Sequence, residues 1–187
     1  MNGRLKLAAG VAVLAVGAAG GTTALAGGGG GGKQFNEKLT GYEETPVAIS
    51  TAGHGKFQAR IRNGNEITYR LRWADLEGAV TQSHIHFGAR AQSGGISVFL
   101  CTNVGGGPAG TQACPTTKQA TITGTIHPAD VIGPGGQGGQ GIEAGEFGEL
   151  VRAMKAGVTY VNVHSQLYPT GEIRAQLEKR GRRGGKR

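Results

Sequence analysis

A strict alternation of apolar and polar side chains is the feature that most limits the folds open to this chain. In EITYRLRW (66–73) every second residue is apolar, and GKFQARIR (55–62) repeats the pattern. A period of two is that of a β-strand with one buried and one solvated face. Asn63-Gly64-Asn65 joins the two segments, and an Asn-Gly pair at this position predicts a tight hairpin turn.

Short segments of the same kind recur along the chain and are separated by Gly-rich and Pro-rich turns. One segment differs, because its apolar residues recur at spacings of three and four, which predicts a short helix near 145–156. The sequence therefore predicts an all-β fold, an antiparallel sandwich or barrel, with one short helix. The further predicted strands are 34–39, 81–87, 96–101, 120–126, 159–164 and 172–177.

The two ends of the chain have compositions that do not suit a packed domain. Residues 1–26 have a basic start, an apolar stretch and an Ala-Leu-Ala ending, which predicts a cleaved signal peptide and a secreted, extracytoplasmic protein. The apolar stretch is shorter than the ~20 residues of a membrane-spanning helix, so we expect no span in the mature chain. We expect a Gly-rich linker at 27–33, a domain at 34–178 and a disordered basic tail at 179–187.

The net charge of +8 comes from the ends of the chain. Of the 20 Lys and Arg residues, two lie in the signal and six in the tail, and the rest balance the 12 acidic residues. The tail has no aromatic residue with which to stack on bases. We therefore expect no specific nucleic-acid partner, and we expect the tail to contact anionic surfaces.

The only two cysteines are Cys101 and Cys114. In an exported chain such a pair favours a structural disulfide, which would stabilise the fold by about 3 kcal/mol for a loop of this length. Two free thiols that bind a metal are the alternative, but thiols rarely stay reduced outside the cytoplasm.

Four longer motifs lie between residues 39 and 177 of the chain. They are LTGYEETP (39–46), SHIHFGARAQSGGISVFLC (83–101), ITGTIHPADVIGP (122–134) and TYVNVHSQLYPTGEIRAQL (159–177). Together they resemble the chordin (CHRD) domain family, in particular its bacterial secreted members. The resemblance implies an immunoglobulin-like antiparallel β-sandwich or barrel. It also implies a family without an established catalytic activity.

Three histidines form the most informative set of candidate site residues. His84 and His86 lie two positions apart on one predicted strand and so share a face, while His164 ends another predicted strand. If these strands pair, three imidazoles converge as they do in zinc or copper sites. The pattern is similar to the His-x-His of copper–zinc superoxide dismutases, although the other ligands of that enzyme are not visible here.

A purely structural role is the competing interpretation of these histidines. They would then bond to strand ends and loops, with Asn162, Glu172 and Arg174 as partners in a polar network. Glu172 and Arg174 would form a buried ion pair that maintains strand register. We expect His54 and His127, which lie in turns, to be surface or capping residues.

Common catalytic patterns are missing from the sequence. No serine lies in a G-x-S-x-G turn, and the Gly-rich segments 105–110 and 133–141 lack the Lys-Ser/Thr ending of a phosphate-binding loop. We expect Glu43 and Glu44 to flank a turn before Pro46. Two functions remain open. The first is a non-catalytic secreted module, without a cofactor, that binds an unknown protein or a cell-envelope component; the alternative is a copper-binding or zinc-binding protein.

Overall fold

Eight β-strands and one α-helix build the part of the chain that the computed structural model describes, residues 34–133 and 139–178. The helix α1 spans Phe147–Ala156, and short 3-10 turns lie at Gly41–Glu43 and Pro128–Asp130. Each predicted strand and the predicted helix is present, with bounds shifted by at most two residues. The strands are β1 (Gln34–Thr40), β2 (His54–Arg62), β3 (Glu66–Ala74), β4 (Val80–Phe87), β5 (Gly95–Thr102), β6 (Ala120–Ile126), β7 (Thr159–Ser165) and β8 (Ile173–Gln176).

The predicted signal peptide 1–26, linker 27–33 and basic tail 179–187 lie outside the described residues. Their assignments therefore remain predictions. Within 34–133 and 139–178, none of the helices has the length and apolar character needed to cross a membrane.

The hairpin between β2 and β3 forms where the sequence predicts it. Asn63 and Gly64 have φ values of 46° and 76°, the left-handed conformation that a tight turn requires. The turn sets a register in which Arg62 lies opposite Glu66 and Phe57 opposite Leu71. Phe57 and Leu71 are fully buried, so this register places the apolar side chains of both strands on the core face.

The strands form a single antiparallel sheet in the order β5-β4-β7-β8-β1-β2-β3-β6. A side chain of β3 and one of the loop after β5 bridge the gap between the two edge strands, β5 and β6. The hydroxyl of Tyr69 donates to the carbonyl of Leu100 at 3.0 Å, and the amide of Gln112 reaches both Leu100 O at 3.0 Å and Thr123 O at 3.3 Å. The sheet is thus rolled into a nearly closed barrel, which confirms the all-β prediction.

The core fills the inside of the rolled sheet and includes one face of α1. Leu150 and Met154 of the helix are fully buried in the same apolar cluster as the inward side chains of the strands. Gly157 ends the helix with a φ of 76°. The cluster also contains the disulfide Cys101–Cys114, with an S–S distance of 2.07 Å, which confirms the predicted pairing.

The outer face of β7 is also buried, which the alternation of the strands does not predict. All seven residues of β7 are buried. Val161 and Val163 point into the core cluster, so Tyr160, Asn162 and His164 lie on the opposite face. A second buried layer, polar rather than apolar, therefore lies outside the barrel beneath the neighbouring loops, and the candidate site is in this layer.

Candidate metal centre

The pairing of β4 with β7 brings the three predicted histidines together. His84 lies opposite Asn162 in the register, and His164 lies opposite Gln82, one diagonal step away on the same face. His84 and His86 share this face of β4, and the centroids of their rings lie 5.3 Å apart. One nitrogen of each ring lies within 4.8 Å of one nitrogen of the other two.

Hydrogen bonds determine which nitrogen of each ring carries a proton. His86 Nδ1 donates to Gly94 O at 3.0 Å, and His164 Nδ1 donates to Pro169 O at 3.0 Å. Because a carbonyl only accepts, the Nε2 atom of each of these two rings keeps a free lone pair. His84 Nδ1 then donates to His164 Nε2 at 3.2 Å. The Nε2 atoms of His84 and His86 are buried without a hydrogen-bond partner.

Burial keeps all three imidazoles uncharged at neutral pH. Desolvation, together with the neighbouring His164 and His86, lowers the pKa of His84 to about 2. Desolvation likewise lowers the pKa of His86 to about 3 and that of His164 to about 4. Since a metal binds the neutral imidazole, no proton has to leave these rings before a metal enters at pH 7.

Aromatic and cationic side chains hold the histidine rings in place. Phe99 contacts His84 edge-on at a centroid distance of 4.4 Å, and Tyr160 stacks on His86 at 4.7 Å with an interplanar angle of 2°. The guanidinium of Arg174 lies 3.5 Å from the centroid of the Tyr160 ring. Rings packed in this way have few alternative rotamers, so the site is organised before any ligand arrives.

Arg174 and Glu172 anchor the loops that cover the site. Arg174 donates to the carbonyl of Gln92 at 2.8 Å and to the hydroxyl of Thr45, and so joins two separate loops to β8. Glu172 accepts from the hydroxyl of Thr51 at 2.9 Å. Within the described residues no ion pair joins Glu172 to Arg174, so the buried pair expected from the sequence does not form.

Asn162 of the buried polar layer bonds to the carboxyl group of Glu44, which the sequence did not predict as a site residue. Its amide donates to Glu44 Oε2 at 3.2 Å. Burial raises the pKa of Glu44 to about 7, against the lowering effect of the Asn162 hydrogen bond and the charge of Arg174. Gly171 lies directly against this pair, since a Cβ there would come within 2.6 Å of Asn162 Nδ2 and of Glu44 Oε2.

The structure corrects one expectation, that the histidines bond to Asn162, Glu172 and Arg174. In the part of the chain that the structure describes, the histidines bond to one another and to loop carbonyls, and these three side chains bond to loops instead. They belong to the same buried layer but are not the hydrogen-bond partners of the imidazoles.

Glu44 was missed because its neighbour has the same chemistry. Glu43 is half-buried and pairs with Arg90 at 2.8 Å, whereas Glu44 is only 6% exposed. Glu43 is the last residue of the 3-10 turn Gly41–Glu43 and Glu44 follows it, so only Glu44 flanks this turn before Pro46. Nothing in the local sequence indicates which of two adjacent carboxylates is buried.

The two remaining histidines lie at the surface. His54 is exposed, and its Nδ1 lies 3.2 Å from Ala52 O and 3.7 Å from a carboxylate oxygen of Asp75. His127 caps the 3-10 turn at Pro128–Asp130, and its backbone N–H donates to Asp130 Oδ2 at 2.7 Å. Both match the prediction of surface or capping residues.

Comparison with known families gives a match that covers most of the chain. A family model described as the CHRD domain matches residues 35–177. The chain belongs to the CHRD domain family. The matched part of this CHRD domain contains all three clustered histidines, the disulfide and Glu44. Comparisons with curated proteins and with solved structures found no match.

Proposed function

We propose that this CHRD domain binds a single copper or zinc ion through His84, His86 and His164. The observation that carries the proposal is the convergence of three buried, uncharged imidazoles whose nitrogens lie within 4.8 Å of one another. Buried polar atoms normally have partners, and two ring nitrogens here have none. A metal ion bound by Nε2 of His86 would satisfy one of them.

The spacing of the nitrogens fits a metal of this size. Two ligands of a tetrahedral zinc ion are about 3.3 Å apart, given a Zn–N bond of about 2.0–2.1 Å. His84 Nδ1 and His164 Nε2 already lie 3.2 Å apart as donor and acceptor of a hydrogen bond. His84 Nδ1 becomes a ligand when the proton of this ring moves to its Nε2. The ligand nitrogen of the third ring lies within 4.8 Å of these two, so this ring has to move inward to reach tetrahedral spacing.

The hydrogen bonds around the rings also support a metal site. Metal-binding histidines commonly donate their second ring N–H to a carbonyl or carboxylate, which orients the ring. His86 and His164 donate in this way to Gly94 O and Pro169 O. A set of three imidazoles suits copper and zinc better than hard cations such as magnesium or calcium.

We infer a structural or storage role for the ion rather than a catalytic one. A catalytic metal needs an open coordination position that substrate can reach. His84, His86 and His164 are at most 7% exposed beneath the covering loops. Membership of a family without an established catalytic activity supports the same view.

We further propose that the domain works outside the cytoplasm, as a secreted or envelope-associated module. The disulfide Cys101–Cys114 supports this, because disulfides persist in oxidising compartments. The predicted signal peptide at 1–26 supports it independently. A protein or cell-envelope component as binding partner fits such a module, and this role is compatible with a bound metal.

Calorimetric titration tests the metal proposal. The tag-free chain from residue 27, stripped with a chelator, is titrated with zinc and separately with copper. We expect one ion per chain, and at least 100-fold weaker binding in the variant His84→Ala/His164→Ala. The matched control His54→Ala/His127→Ala removes two exposed histidines and should bind as the wild type does.

A conservative variant covers the case in which the double variant does not fold. His86→Phe keeps a ring to stack on Tyr160 but removes both nitrogens, and its thermal unfolding shows whether the fold survives. Equal metal binding in the wild type, the cluster variants and the control overturns the proposal, as does the absence of stoichiometric binding by the folded wild type.

A further inference from the structure

The outer face of β1, β2 and β3 differs from that of β4, β7 and β8 because it is open to solvent. Alternation turns Phe57 and Leu71 into the core, so their polar neighbours point outward. Basic residues dominate these outward positions, and we call the set the basic face. It consists of Lys38, Lys56, Arg60, Arg62, Arg70 and Arg72, all exposed except for the half-buried Arg60.

Strand register places several of these charges side by side. Lys38 lies directly opposite Lys56, and Lys56 lies directly opposite Arg72. Neighbouring strands are only about 4.8 Å apart. Like charges directly opposite one another destabilise a sheet. A row of three cations across three strands is therefore unfavourable for folding, which points to a role in binding.

The basic face carries a net positive charge. In the described part of the chain, none of its six residues takes part in an ion pair. The outward positions of β1, β2 and β3 carry one acidic residue, Glu66, at the far end of the hairpin opposite Arg62. The net excess of positive charge covers a surface of about 15 by 20 Å, given ordinary strand spacing and rise.

Uncharged polar groups lie between the cations. Asn36, Gln58 and Thr68 occupy outward positions in the adjoining rows. Two shallow grooves, of about 370 and 340 Å³, run between the side chains of this face. The surface thus offers amide and hydroxyl groups beside positive charges in open grooves.

We propose that the basic face binds a linear anionic polysaccharide. Arginine and lysine would pair with its sulfate or carboxylate groups, and the amide and hydroxyl side chains with its sugar hydroxyls. Single-stranded nucleic acid is disfavoured because the outward positions of β1–β3 carry no tryptophan, tyrosine or phenylalanine for base stacking. A membrane surface is disfavoured because they carry no large apolar anchor.

Surface plasmon resonance on immobilised polysaccharide tests the proposal with the mature chain, basic tail included. Dextran sulfate supplies the sulfate chemistry and polygalacturonate the carboxylate chemistry, both at about 0.15 M salt. The test variant is Lys38→Gln/Lys56→Gln/Arg72→Gln. The control Lys118→Gln/Lys155→Gln/Arg152→Gln removes the same number of lysines and arginines from another part of the surface.

We expect the test variant to bind at least one of the two polymers at least tenfold more weakly than the control, with a smaller dependence on salt. Thermal unfolding of both variants checks that they are folded. Deletion of 179–187 should leave the difference between them intact, because the tail is common to both.

Three results overturn the proposal. They are equal losses in the two variants, no binding of either polymer by the wild type, and tighter wild-type binding to oligothymidylate or to phosphatidylserine vesicles than to both polymers. None of them bears on metal binding, because the basic face and the histidines lie on different strands.

Discussion

His84 Nδ1 lies 3.2 Å from His164 Nε2, although 80 positions of the chain separate the two residues. Two imidazoles this close and this deeply buried are stable together only when both are neutral, and desolvation holds the pKa of each well below 6.5. One ring donates and the other accepts. The contact therefore couples the protonation state of one ring to the tautomer of the other.

The tautomers of the metal-free histidines can be measured directly. We expect His84, His86 and His164 all to carry their proton on Nδ1, because two donate to carbonyls and the first donates to the third. Long-range ¹H–¹⁵N correlation spectra near pH 7 distinguish the two tautomers and the charged form. An Nε2–H tautomer in His86 or His164, or an imidazolium in any of the three, contradicts the described hydrogen bonds.

Glu44 should make stability depend on pH in a direction opposite to that of most carboxylates. Its pKa is raised from 4.5 to about 7 in the folded state, so its stabilising contribution is complete below pH 4.5 and is lost as the pH rises through 7. Relative to Glu44→Gln, the free energy of unfolding of the wild type should fall by up to about 3 kcal/mol between pH 4.5 and 8.

Urea unfolding at a series of pH values measures this effect. Glu43→Gln makes the same chemical change at the neighbouring, more exposed side chain, and it should keep the loss of stability between pH 4.5 and 8 because Glu44 is still present. If the difference between the wild type and Glu44→Gln does not change with pH, the carboxyl of Glu44 is not held neutral by burial.

Gly171→Ala should be strongly destabilising. Gly171 has a φ of 135°, and a Cβ there would come within 2.6 Å of both Asn162 Nδ2 and Glu44 Oε2. Gly110→Ala is the matched control, because Gly110 also has a positive φ, 88°, but has nothing within 4 Å of the added carbon.

The control should lose about 1–2 kcal/mol from backbone strain alone, and Gly171→Ala at least about 2 kcal/mol more. Denaturant unfolding measures both. Equal losses would show that the Glu44–Asn162 pair moves aside easily.

Removal of the disulfide should cost about 3 kcal/mol of stability, because the bond closes a short loop in the unfolded chain. Its cysteines are 13 positions apart. The variant Cys101→Ala/Cys114→Ala, compared with the oxidised wild type in guanidinium unfolding, measures this. Reduction of the wild type under the same conditions should produce a loss of similar size, and a stable reduced form would contradict the predicted contribution.

The basic face shows where sequence composition misleads. Residues 27–178 carry equal numbers of basic and acidic residues, and this overall balance gives no sign of a charged patch. The clue was local, since Lys and Arg occupy many of the polar positions in the alternating segments of β2 and β3. The rows exist only because the register sets Lys38, Lys56 and Arg72 opposite one another.

The fold class and the disulfide were predictable from the sequence by itself. Alternation, turn residues and helical spacing are local properties, and each depends on residues a few positions apart. The three histidines were predictable as a set because His84 and His86 share a face of one strand by simple geometry. Their approach to His164 depends on the pairing of β4 with β7, which the sequence alone did not predict.

Only the tertiary structure decided which outward faces of the sheet are covered. Loops bury the outer face of β4, β7 and β8 and lower the pKa of the histidines, whereas the same face of β1, β2 and β3 stays in water. The paths of these loops also bury the side chain of Glu44 and leave that of Glu43 half-buried. The physical reason is that desolvation depends on which distant segments cover a side chain, and no local pattern of the sequence records that.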